Sequence, residues 1–134
     1  MDVRSDTLSG GEVHSSYSKT DLDFAVIGFP KTGTTFLLEV LGQHKEIKMV
    51  LSDNLKSGGE FCEIHEKGGE KKLAHAIKNK TFEVNSLKYG IKCPTMVRNT
   101  NAIENLAKLS TDYTRLIVGV RHPALFFQSF YNYR

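Results

Sequence analysis

Several whole classes of protein are excluded by what this sequence has little of. Its two cysteines, Cys62 and Cys93, lie in separate segments, with no C-x-x-C pair and no clustered histidines. That argues against a disulfide framework and against a zinc site, so both read as buried small hydrophobes and no metal is expected. No apolar run approaches the roughly 20 residues needed to span a bilayer, and the first residues lack the apolar stretch of a signal peptide. The chain as written is therefore expected to be soluble and uncleaved, with no membrane segment. Neither sign of charge dominates: 18 Lys and Arg against 15 Asp and Glu leave a net charge of +3. This suits an anionic small ligand and falls well short of a nucleic-acid footprint, so no nucleic-acid partner is expected. Internal repeats and low-complexity tracts are missing as well.

What remains is a chain of 134 residues, 40% hydrophobic and 25% charged, the composition of one globular domain or part of one. Residues 1–22 are polar and rich in Ser, Asp and Gly, with little to bury, and are expected to be a disordered leader. The domain is placed at 23–134. Within it Phe24-Ala25-Val26-Ile27 is a short apolar run closed by Gly28 and Pro30, the pattern of a strand buried on both faces of a parallel sheet. Phe36, Leu37, Val40 and Leu41 then recur at helical spacing, with Gly42 as the expected C-terminal cap. A short strand is expected at Ile47 to Leu51, a polar loop from Ser52 to Gly59, and a surface helix from Gly69 to Lys80. Leu87 to Cys93 reads as a strand stopped by Pro94, followed by a helix that Asn99 or Thr100 caps. Leu116 to Val120 is the clearest buried strand of the sequence, and Pro123 opens a last, aromatic-rich helix running to Arg134. Alternating strands and helices with short connections predict an α/β fold with a parallel sheet flanked by helices.

The segment Gly28-Phe29-Pro30-Lys31-Thr32-Gly33-Thr34-Thr35 sits between the first strand and the first helix. It keeps the glycine spacing of a nucleotide triphosphate loop, but Thr34 stands where that loop has its lysine, and Lys31 lies inside instead. Gly33 permits backbone angles that aim successive N–H groups at an anion, and the helix that follows adds its positive end. Thr34 and Thr35 offer hydroxyls to the same oxygens. Arg121 follows the last strand, and Ser129 lies on the helix beyond it. Ligands of open parallel sheets bind outside the strand carboxyl ends, so Lys31, Lys92 and Arg121 are expected on one edge. An Arg fork beside a serine hydroxyl suits a terminal phosphate.

Pro30-Lys31-Thr32-Gly33-Thr34-Thr35 resembles the 5′-phosphosulfate loop of sulfotransferases that use 3′-phosphoadenosine-5′-phosphosulfate (PAPS), a family with a P-loop fold. Leu116 to Tyr133, with Arg121-His122-Pro123 and Ser129, resembles its 3′-phosphate motif. Glu60-Phe61 and Lys92-Cys93-Pro94 resemble short signatures of the carbohydrate and Golgi-type branch. The resemblance implies PAPS as co-substrate, held by Pro30, Lys31, Thr32, Gly33, Thr34 and Thr35 at the 5′ end and by Arg121 and Ser129 at the 3′-phosphate. It also implies Lys31, Glu60 and Lys92 as catalytic residues, transferring a sulfuryl group to a hydroxyl or amine of a small-molecule or carbohydrate acceptor. Glu63 and His65 compete with Glu60 for the role of base, whereas His122 is read as helping to start a helix or contacting solvent. The family's domain is longer, so residues 23–134 would be its N-terminal portion. The compartment stays open between cytoplasm and, if an anchor precedes Met1, Golgi lumen. A non-catalytic module that binds PAPS or its product stays as the alternative. A triphosphate kinase or hydrolase is disfavoured by Thr34 and by the lack of a magnesium-binding acid at a strand end.

Overall fold

A computed structural model describes residues 22–53, 59–80 and 87–133. Four strands, β1 (Phe24–Gly28), β2 (Ile47–Met49), β3 (Lys88–Lys92) and β4 (Arg115–Gly119), alternate with four helices, α1 (Thr34–Gly42), α2 (Gly69–Lys80), α3 (Thr100–Leu109) and α4 (Pro123–Tyr131). Every strand pair is parallel and the sheet order is β2-β3-β1-β4. The expected α/β fold with a parallel sheet is present. The expected leader lies outside the described residues up to residue 21. Leu22, placed at its end, is already core, with its N–H donating to the Leu109 carbonyl at 3.3 Å and its own carbonyl accepting from Thr114.

Strand β1 is buried at every residue because its side chains alternate between two apolar layers. Phe24 and Val26 face a cluster with Leu38 of α1 and Met49 of β2. Ala25 and Ile27 join the larger cluster beneath α2 and α3, with Ile64, Leu73, Ile77, Ile91 and Leu106. Helix α2 forms over the expected residues, and its Leu73 and Ile77 are fully buried. Helix α3 starts where expected, the Asn99 side chain accepting from the Ala102 N–H at 2.9 Å.

Three expectations need correction. Gly42 is the last residue of α1 and not its left-handed cap: Gln43 follows in right-handed geometry, its N–H turned to carbonyls of the last turn. The helix therefore ends in a tightened turn leading straight into β2. Leu116 to Val120 is not a doubly buried strand. β4 pairs with β1 on one side and with no other strand among the described residues, leaving Leu116, Val118 and Val120 half or more exposed. The apolar run fitted a central strand, but burial depends on neighbours the run does not encode. Finally, Cys62 and Cys93 are not separate buried thiols. They form a disulfide across a Cα–Cα distance of 5.5 Å, because the turn Cys62–His65 packs against the end of β3.

Candidate functional site

Strand order reverses at β1, whose chain neighbours lie to one side while β4 pairs on the other. Such a switch point opens a crevice at the strand carboxyl ends. Gly28 at the end of β1 stands in register with Gly119 at the end of β4. The loop 28–33 folds over that end so closely that a Cβ at Gly119 would overlap the Thr32 side chain. Thr32 Oγ1 donates to the Phe29 carbonyl at 2.7 Å, closing the loop on itself.

Gly33 occupies the N-cap of α1 with φ 85°, and space stands open where its Cβ would be. Left-handed geometry here turns the chain into the helix, and the Gly33 N-cap offers no side-chain hydrogen bond to the amides at its start, which suits an anion cradle. Thr34 is buried at the first turn, whereas Thr35 is exposed as a residue. Lys31 also has positive φ, 66°. For a side chain this conformation costs on the order of 1 kcal/mol or more, and such outliers concentrate at functional loops.

Two groups of side chains flank the loop. On the β4 side, Arg121 Nη1 donates to the Lys31 carbonyl at 2.9 Å, one of the guanidinium's five N–H groups. Lys31 and Arg121 share a cleft of about 350 Å³ with Gln128, Ser129, Asn132 and Tyr133. The Lys31 ammonium rests over the Tyr133 ring, 2.9 Å from its centroid. Helix α4 presents Ser129 to this cleft; the His122 ring caps its start by accepting from the Ala124 N–H at 3.3 Å, one of the two roles expected of it.

On the β3 side, Lys92 is 1% exposed and its ammonium forms an ion pair with Glu60. The same ammonium donates to Thr35 Oγ1 at 3.3 Å, tying the pair to the start of α1. Glu60 is held there by its neighbour, since the Phe61 N–H donates to the Lys92 carbonyl at 3.0 Å. The other candidate bases lie apart: Glu63 takes a hydrogen bond from Ser52, and His65 Nε2 stands 3.3 Å from Cys93 Sγ.

The structure thus brings Lys31, Arg121 and Ser129 together, and Glu60, Lys92 and Thr35 together, on the two flanks of one loop. Reasoning from sequence named Glu60 and Lys92 separately but did not pair them, and it overlooked Tyr133, Gln128 and Asn132. No local signal marked the disulfide, whose cysteines lie 31 residues apart. The cysteine sulfurs and His65 Nε2 lie within 4.8 Å of one another. The two sulfurs are bonded to each other, so the trio is a disulfide beside a histidine and does not indicate a metal. No family model, curated protein or solved structure matches the chain.

Proposed function

We propose that this chain carries the nucleotide-binding portion of a PAPS-dependent sulfotransferase of the P-loop type, acting on a hydroxyl or amine acceptor such as a carbohydrate. The observation that carries the reading is the convergence of Lys31, Arg121 and Ser129 at the carboxyl ends of two adjacent strands, beside a left-handed glycine that opens a helix. That set offers cations and donors to a ligand with phosphate at two ends, and the open space at Gly33 fits a phosphate at the amides of α1.

In this reading the bound donor supplies an electrophilic sulfuryl group on a phosphate leaving group. The loop amides hold the 5′-phosphate, and Lys31 swings from the Tyr133 ring to the oxygen on which charge builds. Arg121 and Ser129 hold the 3′-phosphate. Glu60 accepts the acceptor's proton, and Lys92, held against Thr35, orients it and compensates its charge. Replacing Lys31 by Ala is expected to cut transfer from labelled donor about a hundredfold, the usual loss of one transition-state contact. Undiminished turnover in that variant rejects the catalytic assignment.

A binding-only module is the second reading, favoured by the engagement of Glu60 with Lys92, which leaves the carboxylate already partnered. Saturable binding of adenosine 3′,5′-bisphosphate with no transfer to any of a panel of sugars, phenols and amines decides for it.

A further inference from the structure

The Cys62–Cys93 disulfide joins the two short segments that carry the buried ion pair. Cys93 directly follows Lys92, and Cys62 comes two residues after Glu60, with Cys62 Sγ 3.8 Å from the Glu60 carboxylate. The two sulfurs differ in access. Cys93 is fully buried, whereas Cys62 is only partly so. Around Cys93 Sγ stand His65 Nε2 at 3.3 Å and Thr95 Oγ1 at 3.5 Å, and these two also approach one another. A bridge kept for strength alone needs no polar partners at its buried sulfur. A sulfur that must depart as a thiolate does, since burying an unpaired anion is costly.

We propose that this bridge is a thiol–disulfide exchange site, open to a small thiol or dithiol reductant at Cys62, and that its reduction releases Glu60 from Lys92. The reductant's thiolate attacks Cys62 Sγ, the Cys62–Cys93 bond breaks, and Cys93 departs with the electron pair, stabilised by His65 and Thr95 and then protonated. A second thiolate of the reductant attacks the reductant's sulfur in this mixed disulfide, the bond to Cys62 Sγ breaks, and Cys62 departs with the electron pair and is protonated while the oxidised reductant leaves. The protein gains two electrons and two protons, and the reductant loses the same. Once open, the covalent tie between the Cys62 segment and the end of β3 is gone, leaving the Phe61 to Lys92 backbone bond, the ion pair and the packing of Phe61 and Ile64 in the core. The Cys62 thiol so formed stands beside the Glu60 carboxylate and can donate to it, competing with Lys92 for Glu60. The effect on catalysis rests on the sulfotransferase reading of Glu60 and Lys92; the exchange chemistry does not.

The test uses the full chain purified without reductant, with thiols counted by alkylation and Lys92 acetylation by acetic anhydride followed by peptide mass spectrometry. Lys88, a well-exposed lysine, is the internal reference. The expected result is no free thiol and a protected Lys92 at the start. Glutathione should then add first to Cys62, and full reduction should yield two thiols and acetylation of Lys92 at least tenfold faster relative to Lys88, reversed on reoxidation. The variant C62S/C93S should label like the reduced chain with or without reductant; if it does not fold, the reversible titration of the native chain decides. Two free thiols before reduction, or Lys92 labelling unchanged by it, overturns the proposal. Adenosine 3′,5′-bisphosphate affinity measured on the same samples keeps the two readings apart: absence of binding in both redox states rejects the nucleotide site, while the labelling alone judges the exchange site.

Discussion

Withdrawing an ammonium from water at the end of β3 costs several kcal/mol unless a carboxylate and further acceptors meet it. Lys92 has both, in Glu60 and Thr35. Removing one partner strands the other, so Lys92→Met is expected to lower unfolding stability by about 3 kcal/mol in urea denaturation. Pairing it with Glu60→Gln should recover part of that loss, by about 1 kcal/mol or more in a double-mutant cycle. Additive losses would show that the two side chains do not interact. Sequence reasoning located both residues because each stands beside a recognisable short segment. The burial of Lys92 could not be read there, because burial of a charge depends on a partner 32 residues away. Nothing local encodes such a contact. The disulfide was hidden for the same reason, and two cysteines far apart in sequence look like two unrelated small hydrophobes.

Among the elements, β1, its loop and α1 were the most legible, because a doubly buried strand, a glycine at a positive φ and a helix start each leave a local mark. The loop's backbone allows a sharp test. With φ at 85° and open space around it, Gly33→Ala meets no clash, yet its left-handed geometry costs about 1 kcal/mol or more. Any further weakening of anion binding in that variant therefore reports a change in the direction of the amides. Strand β3 has a different constraint at Gly90, where an added Cβ would run into the Phe24 ring. Gly90→Ala should then cost about 1–3 kcal/mol, measured by thermal or urea unfolding, with nucleotide affinity reduced only as far as stability is. A loss below 0.5 kcal/mol, on the scale of a surface substitution, would mean that β1 and β3 are not packed as described. The burial of β4 was misread because a run of Leu, Ile and Val looks the same in a central strand and at an edge.

At the scale of the whole molecule, the core lies under β1 and β3, and the β4 and α4 side carries exposed Leu116, Val118, Val120, Phe127 and Tyr131. Substituting Leu116, half exposed, with Lys is expected to leave unfolding stability within about 0.5 kcal/mol in urea denaturation. A large stability loss would place that residue in a core. Among the described residues no helix is long and apolar enough to cross a membrane. The sheet order sets the functional geometry, because reversal at β1 is what brings Lys31 and Arg121 to neighbouring strand ends. The parallel α/β architecture could be read from alternation alone, whereas the edge position of β4 and the division of the basic residues between two flanks of the loop required coordinates. The most direct measurement is calorimetric titration of the chain with adenosine 3′,5′-bisphosphate and, separately, with adenosine 5′-monophosphate. Saturable binding of one bisphosphate per chain is expected, at least tenfold tighter than the monophosphate, with Arg121→Ala removing that advantage of about 1.4 kcal/mol. No binding, or equal affinity for the two nucleotides whether or not Arg121 is present, would contradict a site built for phosphate at both ends.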